Sequence, residues 1–208
     1  MTQQNRKILV LFAHPGQRYS KVNVELAEAA SKTRGVTLVD LYAEYPRFKI
    51  DIETEQERLL EHDVIVFQFP LFWYSTPALL KEWQDLVLEY GFAYGEGGDK
   101  IAGKLFVPVI TTGGPEDFYR TGGRNNFHLR EFLAPLEQTA NLCGLRFVPP
   151  YTLFAALKAA GGERMEEHVN GYERFLKALR DDRLDMDLAA SMPLLSARSL
   201  PILEEAKS

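Results

Sequence analysis

DVIVFQFPLFWYSTPALLKEWQDLVLEYG, residues 63–91, is the stretch of the sequence that decides the fold. Its opening run, DVIVFQF, is short and almost wholly apolar, which is typical of a buried parallel strand. After a loop, Thr76 is a candidate N-cap and Pro77 suits the first helical position, and apolar residues then recur at helical spacing until Gly91. A strand, a loop and a helix in this order indicate one unit of an α/β fold.

The same unit recurs along the rest of the chain. Four short apolar runs and a shorter fifth predict strands at Lys7 to Phe12, Val36 to Leu41, Asp63 to Phe69, Lys104 to Thr112 and Leu145 to Val148. Two further helical stripes cover residues 129–143, where Pro135 marks a kink or a late helix start, and residues 165–179. This alternation predicts a flavodoxin-like doubly wound five-stranded parallel sheet, an α/β fold with helices on both faces.

The domain organisation follows from where this pattern ends. Residues 1–180 are predicted to form one domain, because the chain shows no internal repeat and no long linker. From Asp181 onward the periodicity fades, so residues 181–208 are predicted to be a C-terminal tail that packs on a partner subunit.

Composition argues against several classes of protein. The formal net charge of −5 disfavours a nucleic-acid partner, which needs a surplus of lysine and arginine on one face. Cys143 is the one cysteine, so neither an intramolecular disulfide nor a cysteine-based zinc site is expected, and a reducing, cytoplasmic compartment fits best. No apolar stretch approaches the ~20 residues of a membrane helix, and no signal peptide is expected.

The loop after the first strand has the features of an anion site. Ligands of open parallel sheets bind beyond the carboxyl ends of the strands, which is where this loop lies. Ser20 can cap the helix that follows, and the free N–H groups of that first turn suit a phosphate, with His14, Arg18 and the Asn23 amide as further donors. The plainer alternative is a capped helix after a turn, since neither a G-x-G-x-x-G motif nor a P-loop occurs here.

The loops after the third and fourth strands point to a flat ligand. Large aromatic side chains crowd residues 70–74, so a planar apolar group is expected to lie against them, unless they pack under a lid or in a dimer interface. Residues 111–114 carry paired glycines directly after a strand, which allow a close approach between backbone and ligand but also serve ordinary turns.

Other motifs do not support a different chemistry. The segment Gly98–Lys104 matches G-x-x-x-x-G-K, but Leu105 replaces the Ser or Thr that would hold magnesium, so an NTPase is not expected. The histidines are scattered without metal-ligand spacing, so no metal site is predicted, and His62 and His168 are interpreted as solvated surface residues. Cys143 lies on an apolar stripe and is interpreted as a core thiol, not a nucleophile.

Three strand-end motifs occur together in this one chain. They are His14-Pro15 with Ser20 and Asn23, Phe69-Pro70-Leu71-x-Trp73-Tyr74 running into Pro77-Ala78-Leu79-Leu80-Lys81-x-Trp83, and Thr111-Thr112-Gly113-Gly114 with Tyr119. In combination they resemble the FMN- or FAD-binding NAD(P)H:quinone oxidoreductases of flavodoxin-like fold, over roughly residues 7–180. Within that family, the segments Asp40–Ile52 and Gly91–Lys104 look most like the ancillary subunits of glutathione-regulated potassium-efflux systems.

The resemblance implies a set of cofactor contacts. The flavin phosphate and ribityl chain would be held by His14, Ser20, Val22 and Asn23. The ring would be lined by Pro70, Leu71, Phe72, Trp73 and Tyr74, and its pyrimidine edge would meet Thr111, Thr112, Gly113 and Gly114. The family has a catalytic tyrosine and histidine near the ring: Tyr119 matches the first, but Asn125 stands where the histidine is expected, and an amide cannot supply a proton.

The resemblance also implies a function. We expect residues 1–180 to bind FMN, with FAD as the less favoured option for so short a chain, and to pass two electrons from NAD(P)H to a quinone by a ping-pong mechanism. A homodimer is expected. The alternative is a non-enzymatic ancillary subunit of a potassium-efflux transporter, held at the inner face of the membrane through that partner, and Asn125 favours this reading. An electron-carrying flavodoxin is disfavoured by the aromatic loop.

Overall fold

Six short strands form one parallel sheet in the computed structural model, which describes residues 5–16 and 20–204. The strands are β1 (Ile8–Phe12), β2 (Val36–Asp40), β3 (Val64–Pro70), β4 (Leu105–Thr111), β5 (Arg146–Phe147) and β6 (Tyr151–Leu153). Their order is β2-β1-β3-β4-β5, with β6 also pairing with β4, and the paired strands run parallel. The predicted flavodoxin-like parallel sheet is confirmed.

The fifth position of the sheet is divided between two strands. β5 pairs with the first residues of β4, and β6 pairs with Val109 to Thr111 at the opposite end of that strand. Pro149 and Pro150 lie between them, and proline has no N–H to donate to a strand ladder. The prolines therefore interrupt the single short strand that the sequence predicts around Leu145 to Val148.

Helices cover both faces of the sheet, as predicted. They are α1 (Lys21–Lys32), α2 (Leu41–Glu44), α3 (Ile52–Glu61), α4 (Ala78–Val87), α5 (Ala134–Leu142), α6 (Ala156–Ala159), α7 (Glu163–Arg180) and α8 (Met186–Ala190). Side chains of β1 alternate between two apolar clusters, with Leu9 and Leu11 in the one that includes Trp83 of α4, and Ile8 and Val10 in the one that includes Tyr172 of α7.

Two helix boundaries differ from the sequence prediction. α4 begins at Ala78 with Pro77 as its N-cap, so Thr76 does not cap the helix, and it ends near Leu88, before Gly91. Pro135 lies at the N-terminus of α5, directly after a 3-10 turn at Leu129–Leu133, so the late start holds and there is no kink. Proline fits there because the first N–H groups of a helix have no intrahelical partner.

The prediction that His62 and His168 are solvated surface residues is wrong. The ring nitrogens of His62 lie 2.7 Å from the Arg58 carbonyl oxygen and 2.8 Å from Thr37 Oγ1. His168 is buried against Tyr151, with ring centroids 4.4 Å apart. It lies one helical turn before a buried tyrosine of α7, a spacing that places both residues on the buried face, although its charged neighbours in the sequence suggest exposure. Cys143 is buried, as predicted.

The segment after residue 180 lies against its own chain. Leu184, Ala189 and Leu195 are buried in the same apolar cluster as α7. Leu184 forms an antiparallel bridge with Ile202, and the Leu195 N–H donates to the Pro150 carbonyl at 2.9 Å. Within the part of the chain that the structure describes, no helix is both long and apolar enough to cross a bilayer.

Candidate functional site

Two adjoining cavities open at the carboxyl ends of β1, β3, β4 and β6. The first, here the α1 cavity, has a volume of about 490 Å³ and is lined by His14, Pro15, Gly16, Ser20, Asn23, Pro70, Phe72, Thr111, Thr112, Gly113, Ala156 and Leu157. The second, the aromatic cavity, has a volume of about 640 Å³ and is lined by Leu71, Phe72, Trp73, Tyr74, Gly113, Gly114, Pro115, Phe118, Tyr119, Arg124, Asn125 and Lys158. Phe72 and Gly113 border both cavities, so the two form one continuous slot.

The polar end of the α1 cavity lies at the beginning of α1. Ser20 caps this helix by accepting the Asn23 N–H at 3.3 Å. The Asn23 amide is buried, and its Nδ2 donates to Thr111 Oγ1 at 2.8 Å, which joins α1 to the end of β4. Its Oδ1 receives no hydrogen bond from any residue that the structure describes. A buried amide oxygen without a donor is costly, so this atom indicates a position where a ligand donor fits.

A buried network of hydrogen bonds to β3 and α7 holds Asn23 in place. Gln68 of β3 donates from Nε2 to the Asn23 carbonyl at 2.9 Å, and Tyr172 of α7 donates to Gln68 Oε1 at 3.2 Å. The Gln68 carbonyl also accepts the Ala13 N–H at 3.0 Å, at the end of β1. Because these bonds cross from the sheet to helices, the start of α1 has a defined position relative to the strand ends.

His14 is arranged as a neutral hydrogen-bond donor. The Gly16 N–H donates to His14 Nδ1 at 3.1 Å, so the proton of the neutral ring lies on Nε2. Burial lowers the pKa of His14 below its ordinary value and keeps the ring uncharged near neutral pH. Phe72 packs edge-on against the ring, with centroids 5.5 Å apart, and fixes its orientation.

The aromatic wall is a tight turn with an unusual backbone. Phe72 and Ser75 form a short antiparallel bridge, and the two residues between them, Trp73 and Tyr74, have φ values of 48° and 63°. Bulky residues rarely adopt positive φ, and such strain concentrates at functional sites. Trp73 is 92% exposed, whereas Tyr74 stacks on Phe132 with centroids 4.9 Å apart. The turn therefore presents an uncovered indole at the rim of the slot.

The glycine pair after β4 leaves space for a ligand. A Cβ atom added to Gly113 would meet no protein atom within 4 Å, although the residue borders both cavities. A Cβ on Gly114 would lie 3.1 Å from Phe118, so this glycine is needed for packing. Neither N–H donates a hydrogen bond to another described residue. Two successive free N–H groups beside a cavity suit an electron-rich ring edge.

Tyr119 and Asn125 meet at the far side of the aromatic cavity. Burial raises the pKa of Tyr119, and the side chains of Thr112 and Asn125 beside it partly oppose that rise. Tyr74 donates to Asn125 Oδ1 at 3.3 Å, so the amide lies between two phenols. Near neutral pH these groups can donate hydrogen bonds, but none of them carries a readily released proton.

The structure brings nearly all of the predicted site residues together. All of them line one of the two cavities except Val22, whose side chain is buried in the apolar cluster beneath α1. Arg18, a further predicted donor, lies outside the described residues.

Sequence reasoning missed the α6 wall of the slot, formed by Ala156, Leu157 and Lys158, and it also missed Arg124. The rule that ligands lie at strand ends would have found α6, had the loop after the fifth strand been included.

Comparisons with known proteins agree with this geometry. The family profile described as the flavodoxin-like fold matches residues 6–176. The ancillary protein KefG of the glutathione-regulated potassium-efflux system of Cronobacter sakazakii (strain ATCC BAA-894) is 48% identical over 176 residues, 85% of this chain and 95% of that protein.

Two solved structures extend the comparison. General stress protein 14 of Treponema denticola, solved in complex with FMN, is 36% identical with a TM-score of 0.79, covering 83% of this chain and 99% of that one. An NADPH-quinone reductase of P. pentosaceus is 28% identical with a TM-score of 0.74, covering 82% and 97%. The chain therefore belongs to the flavodoxin-like NAD(P)H:quinone oxidoreductase family, close to KefG.

Proposed function

We propose that this chain binds FMN and uses it to pass hydride from NAD(P)H to a quinone in two half-reactions at one site. The observation that carries the proposal is the continuous slot, in which the two cavities meet at Phe72 and Gly113. One end offers hydrogen-bonding groups that lack partners, and the other offers aromatic rings. A phosphorylated planar heterocycle has the matching chemistry.

The residues present fit FMN along the whole slot. The first N–H groups of α1 suit the phosphate, and His14 would donate to it from Nε2. Asn23 Oδ1 would accept from a ribityl hydroxyl and so gain the donor that it lacks. The free N–H groups of Gly113 and Gly114 would bond the pyrimidine edge of the ring, in the space that a side chain at Gly113 would fill.

FMN, when bound, supplies reversible two-electron chemistry. The chain supplies hydrogen bonds that favour the electron-rich form: the N–H groups of Gly113 and Gly114, and the Tyr119 hydroxyl, which stays protonated because burial raises its pKa. Asn125 accepts a hydrogen bond from Tyr74 and lies beside Tyr119 in the aromatic cavity, but its amide releases no proton. We therefore expect the proton that the reduced quinone needs to come from solvent, which slows this step relative to relatives with a histidine there.

One aromatic cavity serves both substrates in turn. The cavity is bordered by Trp73, Tyr74 and Tyr119, and both a nicotinamide ring and a quinone are flat enough to stack within it. We expect the oxidised nucleotide to leave before the quinone binds, since both rings would use this one cavity, and this order gives ping-pong kinetics.

The test is reconstitution of the purified protein with FMN, followed by an absorption spectrum and an assay of NADPH oxidation with menadione. We expect a yellow protein, turnover with menadione, and parallel lines in double-reciprocal plots at several menadione concentrations. A protein that stays colourless, or that binds FMN and oxidises neither NADH nor NADPH, would contradict the proposal.

A second candidate function is that of an ancillary subunit of a potassium-efflux transporter. The KefG protein of Cronobacter sakazakii, 48% identical to this chain, favours it, as does the amide at Asn125. In this role the protein would lie at the cytoplasmic face of the membrane through its partner. Efflux that is lost on deletion, but retained with a Gly113→Val variant unable to bind FMN, would show that docking and not catalysis is the main role.

We also propose that a second copy of the chain covers the rim of the slot in a homodimer. Trp73, Phe127 and Leu157 are large apolar side chains that are more than half exposed. Their burial between two copies would remove this apolar surface from water. Light scattering on a size-exclusion column should give twice the chain mass, and a Trp73→Glu variant should shift the protein to monomer.

A further inference from the structure

Two cations border the aromatic cavity from different elements. Lys158 lies in α6, directly after Leu157 of the α1 cavity, and Arg124 lies in the loop between the two 3-10 turns, next to Asn125. Both side chains belong to exposed residues. Among the described residues, no aspartate or glutamate lines either cavity, although the chain as a whole carries a formal charge of −5. Two positive side chains thus border the aromatic cavity of a protein that is acidic as a whole.

Neither cation is neutralised within the described part of the chain. Arg124 and Lys158 form no ion pair there, whereas many other exposed cations do, such as Lys32 with Glu28 and Arg198 with Glu167. Glu116, an acidic residue of the same loop region as Arg124, lines a separate small cavity beneath α7. The two charges are therefore available to a ligand.

Arg124 is held in a way that keeps its donors free. Its guanidinium carbon lies over the Phe118 ring, 5.4 Å from the centroid, in a cation–π contact. The guanidinium N–H groups donate no hydrogen bond to any described residue, and their fork geometry matches phosphate oxygens. Lys158 adds a second positive charge from α6. A cavity with low-dielectric walls and charges of one sign concentrates anionic ligands.

We propose that Arg124 and Lys158 bind the phosphate groups of the nicotinamide dinucleotide, and so select the electron donor; this inference rests on the proposed function. The nicotinamide ring would lie within the aromatic cavity, near Gly113 and Tyr74, and the phosphates would reach the charged rim. An anionic quinone could also bind the two cations. The pyrophosphate is the better candidate, because it carries the larger negative charge and occurs in both NADH and NADPH.

The first measurement is equilibrium binding of NADP⁺ to the FMN-loaded protein by calorimetry, which requires no turnover. Arg124→Gln and Lys158→Gln should each weaken NADP⁺ binding by about twofold to fivefold, the range for an exposed charge contact. The effect should shrink at high salt, because exposed charges are screened. Lys49→Gln is the matched control, since Lys49 is exposed and lines neither cavity.

The second measurement separates the possible sources of the anion. With menadione as acceptor, both variants should lower the ratio of kcat/KM for NADPH to that for dihydronicotinamide riboside, an uncharged donor. A loss shared equally by the two donors would indicate a structural role. A loss seen only with a sulfonated naphthoquinone would assign the cations to the acceptor.

Either of those two outcomes overturns the assignment, and so does unchanged NADP⁺ affinity in both variants. If the wild-type protein turns over neither donor, the proposed function fails, and the calorimetry still decides whether the cations bind phosphate.

Discussion

Replacing Gly113 by valine should separate cofactor binding from folding. The glycine lies at the boundary of the two cavities, directly after Thr112. Its φ lies outside the left-handed region, and an added Cβ would meet no protein atom within 4 Å. The folded protein therefore leaves open space where the side chain of valine begins. Because a glycine-to-valine change also restricts the unfolded chain, we expect the free energy of unfolding of the apoprotein to change by less than about 1 kcal/mol.

The same side chain should weaken FMN binding strongly. It would project into space that no protein atom fills and that the proposed ring edge would occupy. Extra methyl groups in a filled site cost about 1–3 kcal/mol, which corresponds to a dissociation constant raised about fivefold to about 150-fold. The assay is titration of apoprotein into FMN, followed by quenching of flavin fluorescence, with urea unfolding of the apoprotein in parallel.

Gly162→Val provides the control for this experiment. Gly162 is extended, with φ −121° and ψ 175°, lines neither cavity, and would place its Cβ 3.7 Å from the nearest atom. The Gly162→Val variant should bind FMN with the affinity of the wild-type protein. Wild-type FMN affinity in Gly113→Val would refute the placement of the ring, and a loss of affinity accompanied by unfolding would refute the claim that the position is open.

Three further predictions concern groups around the site and in the core. Glu55→Ala should lower the free energy of unfolding, measured in urea, by about 3 kcal/mol, because buried Glu55 accepts hydrogen bonds from Tyr45 and Trp83. Burial lowers the pKa of His168 to about 3, so folding favours its neutral form; stability is full above the unfolded pKa and is lost as pH falls. Between about pH 6.5 and about pH 5 the loss should approach 2 kcal/mol, and His168→Phe should abolish this part of the pH dependence. Asn125→His should raise quinone turnover, by up to about 10²-fold, and introduce an inflection near pH 6.5, so a flat pH profile would argue against proton supply at this position.

The sheet and its helices could be predicted from the sequence because their signals are local. Each buried strand is a short apolar run, and α4 and α7 show clear helical spacing. The inward direction of His168 could have been predicted, since it lies one helical turn before Tyr172 on the same stripe, but its charged neighbours favoured the wrong interpretation. The division of the fifth strand could have been found from Pro149 and Pro150, which cannot donate to a ladder.

The candidate site was predictable where it depends on strand ends. Loops after β1, β3 and β4 carry distinctive residues, and parallel strands bring their ends to one edge. The α6 wall follows only from the strand-end rule applied to the loop after the fifth strand, because Ala156 and Leu157 have no chemistry of their own that marks a site. Their position depends on Ala155, which adopts φ 52°, and on the bond from the Ala156 N–H to the Thr112 carbonyl at 2.9 Å. Such tertiary contacts leave no periodic trace in a sequence.

The turn at Trp73 and Tyr74 lowers the folding stability of this protein. Each residue in the left-handed region costs on the order of 1–3 kcal/mol, and an Asn-Gly pair would occupy the same turn with far less strain. A laboratory selection for heat resistance alone would be expected to find that replacement, and with it to lose the aromatic wall. At this turn, therefore, a gain in folding stability would come with the loss of the aromatic wall.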